Sequence, residues 1–108
     1  MILEVKTRNA LDVYALKIHH IRQKDKRGNT PTHGGATVVN LSEPYGRTLT
    51  GVSYCHINDP FDKKKGTVTA IHKILKKVYP GLFISHVISS NEGMHINLVE
   101  ERFWLTQK

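Results

Sequence analysis

The sequence predicts an α+β domain: an antiparallel sheet of about five strands with one main helix, at about residues 60–79, packed on one face. Two observations carry this. Segments 12–21, 36–41, 48–57, 82–90 and 94–101 are short, rich in β-branched and aromatic residues, and separated by clusters of Gly, Pro, Asn, Asp and Ser. The segment at 60–79 instead spaces its apolar residues at the period of a helix. With 108 residues, one domain spanning 1–108 is the natural count. A hydrophobic content of 39% suits a packed core that needs no disulfide or metal.

Residues 1–10 are mixed and read as a short arm or an edge strand. In 12–21, Tyr14, Leu16 and Ile18 alternate with Val13, Ala15 and Lys17, so one face is the better buried. The run 22–35 is a long basic loop containing Gly28, Pro31, Gly34 and Gly35, and is either mobile or a binding element. Strand 36–41 turns through 42–47 into strand 48–57. Gly51 inside that strand marks a bulge or a close backbone approach. Strands 82–90 and 94–101 are joined by the hairpin turn "SNEG", and "RFWLTQK" closes the chain as a short edge strand.

The helix has clear punctuation. Asp59 suits the N-cap because its carboxylate can accept from free first-turn amides. Pro60 then falls at the first helical position, where its missing N–H costs nothing. Asp62 adds negative charge beside the positive helix end. Pro80-Gly81 supplies the stop. Phe61, Val68, Ile71, Leu75 and Val78 share one predicted face. Lys65, Lys73 and Lys76 share another, flanked by Lys63 and Lys77, while Lys64 lies nearer the apolar side in the first turn.

Sixteen Lys and Arg against nine Asp and Glu give a formal charge of +7. Such a domain favours polyanions, since each neutralised phosphate releases counterions. The single cysteine, Cys55, excludes an intramolecular disulfide framework. The first residues carry charges inside any apolar stretch and do not read as a signal peptide. No run is long and apolar enough to span a bilayer. The expectation is a soluble cytoplasmic protein with no membrane partner.

Six lysines stand within 63–77 with no acid among them. Lysines in the first turn of a helix sit beside free backbone N–H groups and the positive dipole end, an arrangement that suits phosphate. Lys63, Lys64 and Lys65 form that cluster, and Lys73, Lys76 and Lys77 extend it. Arg22, Lys24, Lys26 and Arg27 of the loop would close around a bound backbone. The competing account is an ordinary solvated face, with Lys76 and Lys77 complementing the C-terminal dipole. Few aromatics interleave with basic residues, so stacking on single strands is disfavoured and duplex or structured RNA is preferred.

Two resemblances add to this reading. "TPTH", with Pro31 and His33, followed by strands and then the lysine pair opening the helix, resembles the double-stranded RNA-binding domain over about residues 12–79. That resemblance implies duplex contacts by His33 and the first-turn lysines. "CHINDPFDKKKGTVTAIHKIL", with Cys55, Asp59, Phe61, Lys63, Lys64 and Gly66, is similar to small uncharacterised bacteriophage proteins over about residues 28–78. It implies a phage origin and the host cell cytoplasm. It also implies one of two roles: nucleic-acid binding, or inhibition of a host defence or nucleic-acid-processing protein complex.

Catalysis and metal binding find no pattern. The seven histidines lack paired zinc-ligand spacing. Cys55 and His56, adjacent on a strand, point to opposite faces. His20, Cys55 and His95 meet only if strand order allows it. His33 with Lys26 or Arg27 is the nearest approach to a nuclease constellation, and no motif holds it. The expectation is a non-enzymatic, cofactor-free, phage-type basic protein that binds nucleic acid through backbone contacts with little sequence specificity. The alternative is an inhibitor of a host protein–nucleic acid complex. A homodimer, or a subunit of a larger assembly, paired through an edge strand at the N- or C-terminus is a further reading.

Overall fold

The computed structural model describes residues 1–22, 27–29 and 32–100. In chain order it holds β1 (Ile2–Lys6), β2 (Leu11–Ile21), β3 (His33–Ser42), β4 (Thr48–Pro60), α1 (Lys63–Val78), β5 (Leu82–Ser90) and β6 (Gly93–Glu100). The class is α+β. The sheet, however, is six-stranded and mixed, in the order β4-β3-β2-β1-β6-β5.

The first ten residues depart furthest from the sequence reading. β1 is neither an arm nor an edge. It lies between β2, its antiparallel neighbour, and β6, its parallel one. Leu3 and Val5 are completely buried, while Ile2, Glu4 and Lys6 turn the other way. With a strand on each side of β1 and the helix residues of the core over one face, its inward side chains are shut off from solvent. Its parallel partner stands near the other end of the chain, so no local pattern announces it. Residues 102–108, read as a closing strand, lie outside the described residues.

Register explains the core. Tyr14 pairs with Leu3, Leu16 with Leu41 and Ile18 with Val39. Val5 pairs with Ile96 across the parallel ladder. Because successive side chains alternate in direction, all of these face α1, joined there by Ile71, Ile74 and Leu75. α1 rests chiefly on β3 and β4.

The helix begins later than the cap signal suggested. The chain stays extended through Pro60, which pairs with His33, and the Phe61 amide donates to the Thr32 carbonyl. Asp62, not Asp59, is the N-cap: its carboxylate accepts from the Lys65 amide at 3.0 Å. The sequence reading gave Asp62 only a charge role; the pairing of Pro60 with His33 keeps Asp59 in the strand and leaves the cap to Asp62.

The buried helix face matches the predicted one only in part. Thr67, Ala70, Ile71, Ile74 and Leu75 are buried, with Val78 packed against the same core; Val68 is half-buried at the border of this face. Small residues face the sheet because the two approach closely. A Cβ on Gly66 would stand 2.5 Å from Thr37 Oγ1, and one on Gly51 would strike the Ala70 carbonyl. Gly51 therefore marks a close approach, one of the two alternatives its place in a strand allowed. At the far end Tyr79 fixes the helix. Its hydroxyl donates to Asp12 Oδ2 at 2.6 Å and lies 2.7 Å from the Tyr14 hydroxyl. Burial, then these hydrogen bonds, push the Tyr79 phenol well above its ordinary value.

Gly51→Ala should destabilise the fold by about 2–3 kcal/mol, because its new methyl meets backbone that cannot swing aside. Gly66→Ala should cost less than Gly51→Ala, since about 1 kcal/mol of helix propensity offsets the displacement of a side-chain hydroxyl. Urea midpoints of the two variants check this order.

Candidate nucleic-acid interface

The start of α1 is held by a small cluster beneath it. Phe61 follows β4 directly and shares the lining of a cleft with Lys65 and Gly66 of the first helical turn. Its ring meets His20 edge-on, with centroids 5.6 Å apart, and the Arg22 guanidinium sits over it at 4.8 Å. His20 Nδ1 is 3.0 Å from the hydroxyl of Thr37, the buried residue against which Gly66 packs. Thus β2, β3 and the end of β4 together set the direction in which the first-turn lysines leave the surface.

Lys63, Lys64 and Lys65 are all exposed, as are Lys73, Lys76 and Lys77. Among the described residues, none of these lysines pairs with a carboxylate; the ion pairs are Arg47–Glu43 at 2.6 Å and His95–Glu4 at 4.0 Å. The six lysines are not equivalent. Lys73 Nζ donates to the Val52 carbonyl of β4 at 2.8 Å, so its ammonium is engaged at the border of the sheet. Lys76 and Lys77 stand in the last turn, where they complement the C-terminal dipole. Lys63 to Lys65 are left as the compact, uncommitted cluster.

Of the loop candidates, Arg22 and His33 belong to this pole. Arg22 is half-buried over Phe61. His33 is exposed, with Nδ1 2.8 Å from the Thr32 hydroxyl. Arg27 is exposed in the connection between β2 and β3. Lys24 and Lys26 lie outside the described residues. Asp62 and Asp59 stand at the same pole. The first is committed to its cap. The second borders a cleft of about 190 Å³ shared with Ser53, Cys55, Lys65 and Thr69.

Sequence reasoning did not single out the Phe61–His20–Thr37–Gly66 contact. Phe61 was placed on the helix face, whereas it acts as a wedge before the helix begins. The available signal was Gly66 inside an otherwise good helix, since a mid-helix glycine often marks close packing. The histidines do not converge. His20 faces the helix side and His95 lies beside Glu4 on β1. Among the described residues no group of three or more His, Cys, Asp or Glu is placed to hold a metal ion. No helix is long and apolar enough to cross a membrane.

No protein-family model, curated protein or solved structure matches this chain.

Burial, and secondarily the Lys63 ammonium, hold the His20 imidazole below its ordinary value of 6.5. The unfolded chain therefore binds a proton at this site before the folded one does. Stability linked to His20 is complete above pH 6.5 and falls as the pH drops toward the folded value. Lys63→Met should raise the His20 midpoint in an NMR titration and flatten this acid loss. An unmoved midpoint would show that Lys63 does not act on the ring.

Proposed function

We propose that this protein is a non-enzymatic nucleic-acid-binding protein of phage type. It contacts the phosphate backbone of a duplex or of structured RNA, with little sequence specificity. The observation that carries the reading is the exposed Lys63–Lys65 cluster, unpaired with any carboxylate among the described residues and seated on the first turn of α1. Ammonium groups at that place add to the positive end of the helix dipole.

Arg22, Arg27 and His33 would flank the bound strand, and Lys76 and Lys77 would meet it again farther along the helix. The rise from Lys63 to Lys77 is about 21 Å at 1.5 Å per residue. At about 3.4 Å per base pair that is the axial length of roughly six base pairs. The succession β2, β3, β4, α1 follows part of the element order of the double-stranded RNA-binding-domain resemblance, whose first, groove-reading helix has no counterpart before β2. β1, β5 and β6 have no place in that resemblance.

The double variant Lys63→Ala/Lys65→Ala should weaken binding to all duplex sequences and reduce the salt slope of log K by about 2. Lys17→Ala, on β2, should leave the slope unchanged. Fluorescence anisotropy of labelled duplex RNA, duplex DNA and single strands at several salt concentrations reads both quantities. An unchanged slope in the double variant would place the binding surface elsewhere. Failure of the wild-type protein to bind any of these nucleic acids at low salt would overturn the reading.

A further inference from the structure

The two borders of the sheet are built differently. On β4, Lys73 donates to the Val52 carbonyl, the register breaks between Gly35 and His33, and Pro60 ends the strand. A lysine, a bulge and a proline are the usual means by which an edge is closed to further strands. On the opposite border, β5 (LFISHVISS) has no lysine, arginine, acid, proline or glycine. Among the described residues it has a neighbour on one side only. Its last residues, Ile88 to Ser90, are exposed, with Ile88 58% accessible.

Charge separates the two borders further. The β5–β6 hairpin, residues 82–100, contains no Lys or Arg, and its only acids are Glu92 and Glu100. Every one of the chain's sixteen Lys and Arg stands outside it. Two copies of a chain at +7 repel one another over most approaches. Among the described residues, the hairpin is where a second copy can approach without like charge opposing it.

We infer that β5 is a self-pairing edge, and that a second copy of this chain adds to it antiparallel about a two-fold axis. The bulge between Ile84 and His86 interrupts the ladder, so the regular part available to a partner is His86–Ser90. A two-fold centred on Ile88 pairs Ile88 with its own copy, Val87 with Ser89 and His86 with Ser90. Each pair then shares one face of the joined sheet, as antiparallel pairing demands. The exposed isoleucine is covered by its twin, and no charged side chain meets another. The result is one continuous sheet of twelve strands, twice the six of one copy. α1 lies toward the far β4 border of each copy, so the two lysine-bearing helices stand at opposite ends. A single duplex, or two separate ones, could then be engaged from both ends.

Light scattering of the full chain should give a mass about twice the 12.3 kDa of one copy, rising to that value with concentration. Ile88→Lys places a charge against its own copy and should return the protein to a monomer with an unchanged circular-dichroism spectrum. In a Cys55→Ser background, Ile88→Cys should oxidise to a covalent dimer, because directly paired antiparallel residues stand about 4.5–5.5 Å apart, within disulfide reach. A monomer at every concentration would overturn the inference. So would a dimer that Ile88→Lys leaves intact, or one that Ile88→Cys does not cross-link.

Discussion

The seating of α1 on the sheet, at two glycines, is the contact on which the rest of the structure depends. Gly51 lets the helix backbone at Ala70 come down onto β4, and Gly66 lets the first full turn close over Thr37. Neither approach survives a side chain without movement of a neighbour. Because the helix lies so low, small residues such as Thr67 and Ala70 fill the interface while Ile71, Ile74 and Leu75 reach the core. The rotation that buries this face turns all six lysines outward. Packing and charge display are thus two consequences of one geometry. Tyr79, tied to Asp12 and Tyr14, fixes the other end.

Much of this was legible where the signal is local. Alternation in 12–21, the β-rich run 36–41, the tight turn at 90–93 and the Pro80-Gly81 stop each gave an element in its place, because each reports a backbone preference carried by the residues themselves. The misses share a different origin. β1 was unreadable as an interior strand because its parallel neighbour, β6, stands at the other end of the sequence. That Asp62 caps the helix where Asp59 was expected rests on Pro60 pairing with His33, a tertiary contact that no local signal reveals. The helix face was only partly read for a related reason: Ile71, Leu75 and Val78 do pack in the core, but the sheet also selected small Thr67 and Ala70 at the points of closest approach.

The candidate site was legible as composition and less so as geometry. Sequence alone gave six lysines and a basic loop. In the fold those lysines divide by what they touch. Lys73 is engaged with the Val52 carbonyl, and Lys76 and Lys77 answer the C-terminal dipole, which is where the view of a merely solvated face holds best. The proposed phosphate contacts therefore concentrate at Lys63 to Lys65. There the Phe61 wedge, His20 and Thr37 fix the helix start, and the Asp62 carboxylate accepts from the Lys65 amide without forming an ion pair with a lysine ammonium. The β5–β6 hairpin, free of cations, is the counterpart of this basic pole across the same sheet.

The central claim is that the first turn of α1 is the phosphate-binding surface. Amide chemical shifts followed by NMR while duplex RNA is titrated into the labelled protein test it most directly. The account predicts that the largest changes fall on Lys63 to Lys65, with neighbouring changes at Arg22 and His33. Changes confined to β1, β5 and β6 would contradict it.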